Sequence, residues 1–129
     1  MAELSTYMED RIVNFMRNVA ITGQALAYVA LFTSDAGLEG GVITSEVSGG
    51  SYARQLAGLT ASADGVSANA ADITFPTATA SWGTVTHVAL MDALIAGNVL
   101  MHSILDASKT VGTGDTFKIN TGDLDVTIA

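Results

Sequence analysis

The strongest pattern along the chain is a pair of apolar, β-branched runs of strand length. They are Val85-Thr86-His87-Val88-Ala89-Leu90-Met91 and Val99-Leu100-Met101-His102-Ser103-Ile104-Leu105. Residues 92–98 between them end in Gly97-Asn98 and carry turn chemistry, so the two runs predict a β-hairpin. Residues 6–19 follow a helical period instead. Met8, Ile12, Phe15, Met16 and Val19 fall at i, i+4, i+7, i+8 and i+11 and form one apolar stripe. Asp10, Arg11, Asn14, Arg17 and Asn18 take the opposite side, and Thr6 with Glu9 suggests a capping box. Gly23 ends that pattern. Residues 25–32 are apolar on both faces, as a central buried strand would be. Residues 33–51 hold Gly37, Gly40, Gly41, Gly49 and Gly50 and predict a long loop, functional or mobile, in which only Val42-Ile43 offers brief pairing.

Further short strands are expected over residues 52–59, 73–75, 110–111, 116–119 and 124–128, with turns at Asp64-Gly65, 112–115 and 120–123. Pro76 ends the second of these runs because it has no N–H for a ladder. Residues 61–71 are small and polar and predict no strand. About six to eight short antiparallel strands fit a compact, mainly β fold, a β-sandwich or small barrel. The expectation is a single domain over residues 1–129, with one N-terminal amphipathic helix (about 6–19) and a β-sandwich from about 25 to 129.

Composition changes this picture in one respect. Apolar residues make up 49% of the chain, aromatics only 6% and charged residues 14%, where a soluble domain usually carries roughly a quarter. Such sparse charge suggests that part of the surface is covered by a partner, and a homo-oligomer, a trimer among the options, follows as an expectation. The Met-rich helix stripe has two readings, packing on its own domain or docking on a neighbour. The formal charge of −8, with no Lys or Arg cluster, argues against nucleic acid. No apolar run reaches membrane-spanning length, so no membrane partner is expected. There is no cysteine, and the acidic, polar first ten residues are unlike a secretory leader.

Candidate chemistry is thin. His87 and His102 sit on the facing strands of the predicted hairpin, but two histidines without a third ligand make a weak metal case. Ser51, Ser81 and Ser103 lack the strand–turn–helix setting of a nucleophile. Gly112-Thr113-Gly114-Asp115 lacks the lysine and helix of a phosphate cradle and reads as a turn. Asp123 and Asp125 read as a solvated face rather than a calcium site. Neither enzymatic activity nor a cofactor is expected. Arg54 is the one basic residue between Arg17 and Lys109, and it should pair with a carboxylate, inside the fold or across a subunit boundary. Trp82, the only tryptophan, should anchor the core or an interface. The expected protein-interface set is therefore Met8, Ile12, Phe15, Met16, Arg54 and Trp82.

Several stretches taken in order carry a resemblance. They are Gly49-Gly50-Ser51-Tyr52-Ala53-Arg54-Gln55, Ile73-Thr74-Phe75-Pro76-Thr77-Ala78-Thr79, and residues 81–93 from Ser81-Trp82-Gly83 to Met91-Asp92-Ala93. Lys109-Thr110-Val111 with Gly114-Asp115, the closing residues 122–128, and a helix followed by residues 27–35 complete the set. In this order they resemble a family of small tailed-bacteriophage virion structural proteins, often labelled tail fiber proteins. The resemblance covers nearly the whole chain and departs mainly over residues 35–48. It implies a virion component, assembled in the host cytoplasm, with other virion proteins as partners. Two functions are expected from it. The first is a capsid decoration (cement) protein that binds the major capsid protein and stabilises the head. The alternative is a tail component or fibre-attachment module involved in host contact. A sugar-binding module would need more exposed aromatics than one Trp, three Tyr and four Phe can supply after the core is filled.

Overall fold

A computed structural model describes residues 3–23 and 26–128. The helix is α1 (Thr6–Met16), and the strands are β1 (Glu3–Leu4), β2 (Tyr28–Phe32), β3 (Gln55–Leu56), β4 (Val66–Ala68), β5 (Ile73–Thr74), β6 (Gly83–Met91), β7 (Val99–Val111), β8 (Lys118–Ile119) and β9 (Asp125–Thr127). The predicted hairpin is the centre of the molecule. β6 and β7 pair antiparallel around the turn at 92–98, and β2 adds to the other side of β6. The sheet order is β1-β7-β6-β2-β3, with two separate ribbons, β4-β9 and β5-β8. All pairings are antiparallel, the fold is mainly β and sandwich-like, and no barrel closes among the described residues.

The ribbons lie over one face of the sheet. Val29, Leu31, Val85, Val88 and Leu90 bury there against Ile73, Phe75, Trp82 and Phe117. Irregularities in the ladder shape this core. The register shifts between Leu90 and Met91, so Leu100 is an extra residue in β7, and both Leu100 and Met101 reach the same core. The opposite face buries Ala30, Phe32, Ala89, Met91 and Val99 under Leu38 and Ile43. That is why β2 is apolar on both sides: it is covered twice.

Several boundaries differ from expectation. Residues 33–51 are not an open loop but the lid of the second face. Leu38 is fully buried, and the Thr33 N–H to Ser45 and Val47 N–H to Leu31 bonds tie the segment down. The expected strand at 52–59 shrinks to β3, and β4 forms in the small, polar stretch where none was expected. β7 continues to Val111, far past Leu105, through exposed residues that carry no burial signal. The structure thus has nine strands among the described residues, two of them long. Ala25, placed in the expected strand over residues 25–32, lies outside the described residues.

Candidate interaction surface

The N-terminus is fastened at the β7 edge. Glu3 and Leu4 pair with His102 and Met101, and the fully buried Ser5 then starts the helix. The Ser5 hydroxyl donates to the Val99 carbonyl and accepts from the Met8 N–H at 3.3 Å, while its own N–H donates to Leu100 at 3.0 Å. The N-cap is therefore Ser5, one residue before the expected Thr6, and no capping box forms with Glu9. The helix stops at Met16, with Arg17 as C-cap and Asn18 in the left-handed region at φ 66°, so Val19 falls outside it. Covering the β7 edge satisfies groups that would otherwise be free to pair with another chain.

The expected stripe divides along this short helix. Met8 packs with Leu4 and Tyr7 against the main core, and Ile12 is half-buried. Phe15 and Met16 point away from the fold, at 63% and 72% exposure. Val13 and Val19 are exposed beside them. Near the root of the helix, an open groove of about 570 Å³ is lined by Met8, Leu26, Leu56, Leu59, Val126 and Ile128. Four of these, Leu26, Leu56, Leu59 and Ile128, are exposed apolar side chains. A single exposed Leu is ordinary, but apolar side chains gathered on a helix tip and along a neighbouring groove mark a surface suited to a partner.

Arg54 and Trp82 take their contacts within the chain. Arg54 is buried and forks onto Glu46, with Nε and Nη2 each 2.7 Å from a carboxylate oxygen. Its Nη1 donates to the Ala93 and Ala96 carbonyls at 2.7 Å, pinning the β6–β7 turn. The Tyr52 hydroxyl donates to Glu46 at 2.9 Å and accepts from the Leu31 N–H at 3.0 Å. The Glu46 hydrogen bond raises the Arg54 pKa above its usual value. Trp82 is 4% exposed; its indole N–H donates to the Gly50 carbonyl at 2.9 Å, and Tyr52 and Phe75 surround it at 5.4 and 6.5 Å between centroids. Gly50 has φ 57°, and a Cβ there would lie 2.9 Å from the indole nitrogen, so only glycine allows the approach.

Burial pushes the Tyr52 phenol above its ordinary value of 10.0, helped by the adjacent Glu46 carboxylate. The folded chain then holds that proton more tightly than the unfolded one. The stabilisation is complete below pH 10 and is lost as pH rises toward the folded-state value. Melting temperature should fall steeply above pH 10, and less steeply in Tyr52→Phe; equal slopes would contradict this origin. The exposed Asp72 shifts the other way, down to about 2, because the Lys118 ammonium bonds it at 3.0 Å and Thr121 donates both its N–H and hydroxyl.

The two histidines do not pair with each other. The register sets His87 opposite Ile104 and His102 opposite Ala89. His87 bonds Thr86 at 2.8 Å, and His102 Nε2 lies 2.9 Å from Glu39. Residues 112–115 form the expected turn, with the Asp115 carboxylate accepting the Gly112 N–H at 2.8 Å.

A mainly β virion protein with an amphipathic N-terminal helix is the class that these features and the resemblance define. The family model described as Podophage GP4 fiber I protein gp80 matches residues 3–127, and the chain belongs to that family. It is a phage fibre-related virion component. No curated protein matches the chain.

Proposed function

We propose that the chain is a structural subunit of a phage fibre or of its attachment to the tail, docked on a neighbouring virion protein through α1. The observation that carries this reading is the exposed Phe15–Met16 end of a helix whose other end is fastened to the sheet edge. A helix held at its root and apolar at its tip is a docking element, and the family's description supports a fibre position. Capsid decoration is the second reading, favoured by a compact, non-repetitive form and by only 14% charged residues. Copy number per particle separates the two. A count near that of the major capsid protein supports a lattice, whereas a small multiple of the fibre number supports the fibre. Self-association belongs to either reading and predicts more than a monomer in sedimentation at micromolar concentration.

The docking test is Phe15→Asp with Met16→Asp. Both side chains already face solvent, so the isolated chain should still fold, losing no more than about 1–2 kcal/mol from two carboxylates at the negative end of the helix. Buried at an interface, two carboxylates are costly, and incorporation into particles should fall sharply. Normal incorporation of the double variant would remove α1 from the assembly contact.

A further inference from the structure

Three side chains with metal-binding chemistry meet where β1 joins β7. Glu3 stands opposite His102 in the ladder. Glu39 arrives from the segment covering the second sheet face, and its backbone carbonyl accepts the Thr6 N–H at 3.0 Å. His102 Nε2 lies 2.9 Å from Glu39 Oε2, and one ligand atom from each of Glu3, Glu39 and His102 lies within 4.8 Å of the others. The backbone bonds around all three residues hold the grouping in place. The imidazole forms its wall, with only 10% of the side chain exposed, while the half-exposed Glu39 stands at its mouth.

The charge of this grouping is unbalanced. Two carboxylates this close repel each other. Among the described residues, no Lys or Arg forms an ion pair with Glu3 or Glu39. We propose that Glu3, Glu39 and His102 bind a divalent transition-metal ion of the zinc class, which clamps β1 and the root of α1 to the sheet. One imidazole nitrogen with two carboxylate oxygens and an open side for water suits zinc, whereas calcium and magnesium favour oxygen donors throughout. A tetrahedral ion with bonds of about 2.1 Å sets its donors roughly 3.4 Å apart. The His102–Glu39 separation is 2.9 Å and the separations from Glu3 lie within 4.8 Å, a spread that glutamate side-chain rotation can adjust. Nε2 then binds the metal with the imidazole proton on Nδ1, and the Nε2–Glu39 hydrogen bond is exchanged for two metal bonds.

This inference stands apart from the choice between fibre and capsid. Its test is calorimetric titration of zinc chloride into the full chain after chelator treatment, followed by thermal melting with and without the metal. The expected result is one zinc ion per chain and a higher melting temperature with zinc. Glu3→Gln and Glu39→Gln change exposed side chains and should melt like the parent in the absence of metal. Each should weaken zinc binding at least ~10-fold, the low end of what even outer-shell losses cost. His102→Gln should do the same. Failure of the chain to take up zinc at micromolar concentration would overturn the proposal. So would unchanged affinity in the Glu3→Gln, Glu39→Gln double variant, or an equal response to magnesium chloride.

Discussion

Replacing Trp82 by alanine should cost about 3–5 kcal/mol, the usual range for deleting a large buried aromatic. The indole is 4% exposed, and its loss opens a cavity between the β6–β7 hairpin and the two ribbons. Its neighbours cannot fill that space by small shifts. Tyr52 and Phe117 each pack against Phe75, at 6.1 and 5.6 Å between centroids, so moving one ring disturbs the next. The Gly50 carbonyl also loses the donor that approaches it at 2.9 Å. Domains are stable by only about 5–15 kcal/mol, so the loss is a large share of the total. Melting temperature should drop by roughly 10–20 °C. Trp82→Phe keeps most of the ring but not the N–H and should lie between the two. Circular dichroism is the measurement to use, because the variant removes the fluorophore. A drop of less than about 3 °C would mean that the ring cluster is not the keystone its packing indicates.

The hairpin and β2 were legible because their side chains face cores directly, and burial leaves an apolar period that sequence displays. The turn was legible for a different reason. Its Asp92 and Asn98 bond each other through side chain and backbone at 2.7–3.2 Å, and Gly97 adopts φ 76°, so the turn residues report local geometry. The helix stripe was visible, but its end was overrun by one turn. Asn18, a residue that tolerates the left-handed region, was the signal for stopping there. Residues 33–51 were opaque because the covering role falls to two isolated apolar side chains, the buried Leu38 and the half-buried Ile43, among glycines. The expected strand end at 110–111 is the last part of β7, where Val111 is buried, but residues 106–109 before it were opaque because their side chains face solvent. The grouping of Glu3, Glu39 and His102 has no local signature at all. His102 and Glu39 are separated by 63 positions, and the strand register alone brings Glu3 to His102.

Arg54→Ala should be as damaging as the loss of Trp82, at about 3–5 kcal/mol, but through electrostatics rather than volume. The guanidinium fills the space between Glu46, from the segment covering the second sheet face, and the 92–98 turn. Removing it leaves the Glu46 carboxylate mostly enclosed, with the Tyr52 hydroxyl as its remaining side-chain donor. It also frees the Ala93 and Ala96 carbonyls, which hold the exposed Leu94–Ile95 tip in place. Lysine cannot replace it, because one ammonium cannot fork onto a carboxylate and reach two carbonyls as well. Arg54→Lys should therefore lose most of the same stability. The informative comparison is Arg54→Met combined with Glu46→Leu, which removes both charges and keeps most of the volume. Its cost should be smaller than that of Arg54→Ala alone, since no unpaired charge stays buried. Hydrogen exchange at residues 93–97 should speed up in both variants, because both release the turn. If the double variant were less stable than the single one, the pair itself, rather than the stranded carboxylate, would be the source of the stability.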